Sequence, residues 1–176
     1  MIFSCFCSNK RLIRESILSP PKIIQMDKTI KLIDTSNNSI LFQKEFNDTI
    51  VSTTSCFFMK KKHIVVCTKN TIFIMDEYLN EIHSFQIEDE ILCMSGEKIK
   101  PHFYIGCKSG NIYVYSIKYL NNKFICTDIW TFHCFKPVYS IAIHIDDNVN
   151  MKRNIFAGFS RWQNDVLQQI NIYNII

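Results

Sequence analysis

The sequence predicts an all-β protein built on an internal repeat, and three observations carry this. Short runs of β-branched and aromatic residues recur along the 176-residue chain, several alternating apolar and polar with period two. Clusters of Asn, Asp, Lys and Gly separate the runs, and no stretch longer than about 11 residues holds a helical spacing. One strand pattern also returns along the chain. Ile30-Lys-Leu-Ile-Asp34, Ile72-Phe-Ile-Met-Asp76, Ile112-Tyr-Val-Tyr-Ser116 and Ile170-Asn-Ile-Tyr-Asn174 align at separations of 42, 40 and 58 residues.

Each unit resolves into strand-like runs in order. The first begins at residues 11–18 and continues through Lys22-Ile-Ile-Gln-Met26, Thr29-Ile-Lys-Leu-Ile33 and Ser39-Ile-Leu-Phe-Gln43. The second holds runs at 50–58, 63–67, 71–76 and 81–87, and the third at 91–94, 102–107, 111–117 and 123–132. The fourth holds 138–143 and 169–173, and is lengthened by polar stretches at 146–154 and 161–169. Tight turns at 26–29, 68–71 and 108–111 join the second and third runs of the first three units. A second set follows at Asn37-Asn38, Leu79-Asn80 and Asn121-Asn122, where Asn accepts the positive φ that hairpins require.

Composition fits one modest globular domain. Hydrophobic residues make up 47% and Gly only 4 residues, so there is side chain enough for a packed core. Lys and Arg number 20 against 16 Asp and Glu, a net +4 too small to imply nucleic acid by itself. The 8 Cys are spread through apolar runs, as in Cys56-Phe57-Phe58 and Val65-Val66-Cys67, which suits a reduced, intracellular protein, cytoplasmic or nuclear. No run approaches the roughly 18 apolar residues of a membrane span. The apolar start, residues 1–7, is short and precedes Lys10, Arg11 and Arg14, the reverse of a signal peptide.

Four antiparallel strands at a period near 40 make one blade of a β-propeller. Phe103-Tyr-Ile-Gly-Cys-Lys-Ser-Gly-Asn-Ile-Tyr-Val-Tyr-Ser116 resembles the second and third strands of a WD40 repeat, and the same frame fits 65–76 and 21–34. The likeness is degenerate. Ile33, Met75, Tyr115 and Tyr173 stand where the repeat has Trp, its Asp survives only at Asp34 and Asp76, and no Gly-His pair precedes any unit. The family's buried His–Asp network therefore does not carry over. The repeat spacing gives about four four-stranded blades, approximately 10–46, 47–87, 88–134 and 135–176, either a compact four-bladed ring or a partial propeller that pairs with another chain; the resemblance implies residues 1–9 as the strand that closes the ring against 169–175. A two-sheet β-sandwich is the architectural alternative.

No chemistry-bearing motif stands out. Cys5-Phe-Cys7 and His133-Cys134 lack the paired C-x₂₋₄-C spacing of structural zinc, so neither metal nor cofactor is expected. No nucleophile elbow or Gly-rich phosphate loop occurs, so no catalytic residue and no small-molecule substrate are assigned. Charge is more informative. In the blade frame one rim collects Lys60, Lys61, Lys62, Lys98, Lys100, Lys118, Lys123, Lys152 and Arg153. These residues either solvate hairpin tips or dock an acidic partner, an acidic protein surface or RNA. Trp162, in the polar segment Arg161-Trp162-Gln163, serves as an exposed interface anchor or packs over its own blade. The resemblance implies a non-catalytic protein–protein interaction scaffold, a subunit of an intracellular complex without membrane contact. The alternative is an RNA- or ribosome-associated protein using the basic rim.

Overall fold

The structure, a computed structural model, describes residues 20–98, 100–146, 152–159 and 167–172, which form fourteen strands. They run β1 (Lys22–Met26), β2 (Thr29–Ile33), β3 (Ile40–Glu45), β4 (Ser52–Phe58), β5 (Lys61–Cys67), β6 (Thr71–Met75) and β7 (Glu81–Gln86). After these come β8 (Ile91–Gly96), β9 (His102–Cys107), β10 (Asn111–Leu120), β11 (Lys123–His133), β12 (Ser140–Asp146), β13 (Lys152–Gly158) and β14 (Leu167–Ile172). The sheets are antiparallel meanders in strict chain order: β1-β2-β3, β4-β5-β6-β7, β8-β9-β10-β11 and β12-β13-β14. The chain divides into two compact units at Asn47 and Asp48.

The first unit is the sheet β1-β2-β3. Thr29 to Ile33 alternates as the period-two pattern predicts, burying Ile30 and Leu32. Phe46 follows β3, and its amide donates to the Lys28 carbonyl at 2.8 Å, tying the end of the sheet to the β1–β2 turn.

The second unit stacks three sheets face to face, so a two-sheet sandwich does not describe it. Between the sheets β4–β7 and β8–β11 lies a core of Cys56, Val65, Ile72, Ile74, Phe103, Ile105 and Ile117. Alternation on β9 sends Phe103 and Ile105 to that side, while Tyr104 packs with Val114 and Ile155 toward β12–β14. Side chains such as Phe103 and Ile105, removed wholly from water, each contribute about 1.5–3 kcal/mol of hydrophobic stabilisation. The inner strands β4, β8 and β12 neighbour one another in turn, as successive blades require.

The repeat read from the sequence is written into the backbone. Ile30, Ile72 and Ile112 occupy equivalent positions and are fully buried. A register shift breaks the ladder at Leu32/Ile33, Ile74/Met75 and Val114/Tyr115, again 42 and 40 residues apart. The surviving aspartates end the third strand. Asp34 Oδ1 accepts from the Ser36 amide at 2.8 Å and from its hydroxyl at 2.7 Å. Asp76 accepts from the amides of Tyr78 at 2.8 Å and Asn80 at 2.9 Å. Asn38 and Leu79 then take positive φ. Ser116 cannot cap a turn with a carboxylate, and there the ladder runs on through Leu120↔Lys123 to a tip at Asn121-Asn122. β10 and β11 thus reach 10 and 11 residues.

A joint between sheets also repeats. The amides of Ile87 and Ile91 donate to the carbonyls of Asn70 at 3.0 Å and Lys69 at 2.7 Å, so the chain leaving β7 is held on the β5–β6 turn as it enters β8. Cys134 and Val138 do the same on Gly110 at 2.8 Å and Cys107 at 3.0 Å. Asp89, inside the first crossing, accepts from the Glu90 amide at 2.8 Å, from the Ser109 hydroxyl and from Asn111 Nδ2 at 3.4 Å. Glu90 lies 2.9 Å from Lys108 and 4.0 Å from Lys69, between the turns of two sheets. These carboxylates thus tie the crossing segment to the turn of the next sheet.

One expectation changes. Residues 152–158, placed by the sequence partly in a polar insertion, form β13, paired with β12 and β14. Their four-residue apolar run carries no alternation of its own, and pairing on both sides decides the outcome. Strand β14 takes the third-strand place expected for the fourth unit. Residues 1–18, which include the first strand of the first unit and the closing strand, lie outside the described residues, as does Trp162.

Gly106 tests the stacking. A Cβ there would come within 2.6 Å of Cys93 Sγ and 2.7 Å of Val138 Cγ1. Gly106→Ala should destabilise the fold by about 1–3 kcal/mol, the usual cost of overpacking, read as a lower denaturation midpoint.

Candidate functional site

In an antiparallel four-stranded meander the first-to-second and third-to-fourth turns emerge at the same edge. In the second unit this edge carries the β4–β5 and β6–β7 turns, the β8–β9 connection and the β10–β11 tip. Lys60 lies in the β4–β5 turn, and Lys61 and Lys62 open β5. Lys98 and Lys100 lie in the β8–β9 connection, and Lys118 and Lys123 flank the β10–β11 tip. Lys152 and Arg153 open β13, opposite Asp146 and Ile145 of β12, not in a loop. Lys60, Lys61, Lys98, Lys118 and Lys123 are exposed, whereas Lys62 and Lys100 are half-buried.

Ring contacts bring two of these turns together. Phe58, the last residue of β4, meets Phe124 of β11 at 6.1 Å between centroids, and His63 of β5 meets the same ring at 5.7 Å. Tyr119, directly across from Phe124, closes the group at 5.1 Å. Around this aromatic floor stand three side chains that no sequence motif marks. Met59 is 64% exposed, Leu120 58% and Tyr119 46%. These apolar side chains stand outside the core, beside the ring contacts of the two turns.

The β4–β5 turn is also strained. Met59 and Lys60 form a two-residue loop with φ of 51° and 61°, the left-handed pair that hairpins normally build from Asn and Gly. Each such residue costs about 1–2 kcal/mol relative to an ordinary conformation. The β10–β11 tip adopts the same form with Asn121 and Asn122, which tolerate it.

The supports beneath the edge are firm. Glu97, buried at the start of the β8–β9 connection, accepts from Tyr104 Oη at 2.5 Å, and His102 Nδ1 lies 3.5 Å from the same oxygen. The backbone bonds Glu97 N to His102 O and Ile117 N to Pro101 O, both 2.9 Å, fix the segment that presents Lys98. Among the acidic groups at this edge, Asp76 is engaged in its turn and Glu97 in the buried network.

Burial pushes the thiols of Cys56, Cys67, Cys93 and Cys126 up to about 12, so they stay protonated and unreactive at neutral pH. Among the described residues no group of three or more His, Cys, Asp or Glu is placed to hold a metal ion. Nor, among them, is any helix long and apolar enough to cross a membrane.

The stacked meanders have counterparts among solved structures. The crystal structure of Saccharomyces cerevisiae Sqt1, a WD40 protein, superposes with a TM-score of 0.60 at 12% identity, over 80% of this chain and 39% of that one. BBS1N, a β-propeller crystallised in complex with ARL6DN, superposes at 0.63 with 10% identity, over 82% and 46%. The fold is that of a WD40-like β-propeller. A second crystal of the BBS1N complex gives 0.63 at 9% identity, over 84% of this chain and 48% of that one. The chain thus spans 39% to 48% of the length of these propellers. The sequence matches no protein-family model and no curated protein.

His63 makes the floor pH-dependent. Burial among Phe58 and Phe124 holds its imidazole below the ordinary 6.5, outweighing the Lys61 carbonyl at 3.2 Å and the carboxylates of Asp76 and Glu77. The unfolded chain takes up the proton first, so stability is full above about pH 6.5 and falls as pH drops toward the folded-state value. His63→Leu should flatten the decline in melting temperature across that interval.

Proposed function

We propose that this propeller is a non-catalytic protein-interaction scaffold, one subunit of a larger complex in a reducing intracellular compartment, binding through its basic edge. The observation that carries this is the exposure of Lys60, Lys61, Lys98, Lys118 and Lys123 along one edge of two packed sheets. Sheets locked by a shared core present such turns as a fixed array, which lowers the ordering cost of binding. The coarse architecture gives further support, since BBS1N was crystallised with a protein bound. The described cysteines are free thiols, in keeping with a reducing compartment. Trp162 is proposed as an additional anchor, and Lys62, Lys100, Lys152 and Arg153 as contributors of charge.

A second use, binding RNA, is favoured by the same lysines and is separated by experiment. Binding of polyglutamate and of single-stranded oligouridylate is measured at low salt for the native chain and for the triple variant Lys60→Glu, Lys61→Glu, Lys62→Glu. The proposal expects polyglutamate binding to weaken at least about tenfold with the melting transition kept. Undiminished binding by the variant would show that this edge is not the docking face. A loss confined to oligouridylate would assign the edge to RNA.

A further inference from the structure

We infer that the edge holds an acidic segment by an apolar anchor, which seats between Met59 and the β10–β11 tip while the surrounding lysines pair with the segment's carboxylates. The inference rests on that edge being the docking face, and adds which chemistry the partner must carry.

Two independent features point here. The first is the juxtaposition of apolar surface and charge. Met59, Tyr119 and Leu120 are about half exposed or more, above a floor of Phe58, His63 and Phe124 whose rings lie within 6.1 Å of one another. Lys60, Lys61, Lys118 and Lys123 stand next to these residues in sequence, at the same two tips. A surface needed only for solubility would carry the lysines without the Met and Leu. A surface for nucleic acid would pair the lysines with stacking rings; Tyr119 offers one, but the more exposed Met59 and Leu120 offer no π-face. Apolar centre with a cationic surround is the complement of a segment in which acidic residues flank a large apolar side chain.

The second feature is that both tips depart from the rest of the molecule at this spot. In the units ending at Asp34 and Asp76 the third strand stops in a carboxylate-capped turn, but at Ser116 it runs four residues further, carrying Tyr119 and Leu120 to the tip. The facing turn places Met59 and Lys60 in left-handed backbone, where Asn and Gly would be at ease. Strain kept at an exposed apolar residue marks a site where the side chain matters more than the turn.

The test uses the whole chain and two labelled probes of equal charge, a synthetic peptide repeating Glu-Glu-Phe-Leu and polyglutamate, with oligouridylate as a third. Met59→Asn suits the left-handed turn, so the variant keeps or raises the melting temperature, and Leu120→Thr preserves strand propensity. We expect the native chain to prefer the Glu-Glu-Phe-Leu peptide, and each substitution to weaken that binding by about tenfold while leaving polyglutamate binding unchanged. Equal affinity for the two acidic probes, or no effect of either substitution, overturns the apolar anchor and leaves the basic edge standing as a docking face. Preference for oligouridylate over both overturns it in favour of nucleic acid. No binding to any of the three overturns the anchor and the docking edge together.

Discussion

Everything described in the second unit depends on how the chain passes from one sheet to the next. A meander can bury only one face against a neighbour if the crossing segment holds the two sheets at a fixed offset. Here the crossing is held by its own backbone: Ile87 and Ile91 on the turn behind, Cys134 and Val138 in the next repeat of the same device. Asp89 completes the first joint by reaching forward to Ser109 and Asn111. A half-buried carboxylate receiving several donors is a strong local tie, because each bond is charge-assisted and the group would be costly to leave unpaired. Gly106 and Gly110 belong to the same design. At Gly106 the neighbouring sheet comes too close for a Cβ, and at Gly110 the backbone takes a φ of 95° directly under the Cys134 carbonyl.

Given that frame, the proposed docking edge lies where the repeats differ. Asp34 and Asp76 cap their turns and keep those hairpins short, whereas Ser116 lets β10 and β11 extend. The long hairpin meets the strained β4–β5 turn through the contacts of Phe124 with Phe58 and His63. The site is thus made where the repeat is broken. Its rigidity comes from the core beneath, including the Tyr104–Glu97 bond that fixes the neighbouring connection.

Much of the fold was legible in the sequence, and the reasons it was are physical. Alternation marks the half-buried strands Thr29–Ile33 and Thr71–Met75, and Asn at 38, 121 and 122 marks turns that need positive φ. The spacing of 42 and 40 residues reappears in the register shifts. β13 was not legible, because polar Lys152-Arg153-Asn154 and the short run that follows have no period and become strand only by pairing on both sides. At the candidate site the lysines could be read but the apolar centre could not. Tyr119 and Leu120 look like strand core in one dimension, as do Trp130, 46% exposed, and Phe135, 95% exposed just past β11. Whether such a residue is covered depends on what the next sheet places opposite it, which no local pattern encodes. Met59 carries no turn signal at all, since its conformation is one its side chain disfavours.

The joint between sheets is the claim on which the rest stands, and native-state amide hydrogen exchange tests it most directly. The amides of Ile91 and Val138 lie at the ends of connecting segments, where a loosely tethered loop would exchange by local opening. If their bonds to Lys69 and Cys107 hold the sheets together, both amides exchange as slowly as those of Ile72 and Ile105 in the core, with the same dependence on added denaturant. Fast exchange at Ile91 and Val138 while the core stays protected would contradict the account.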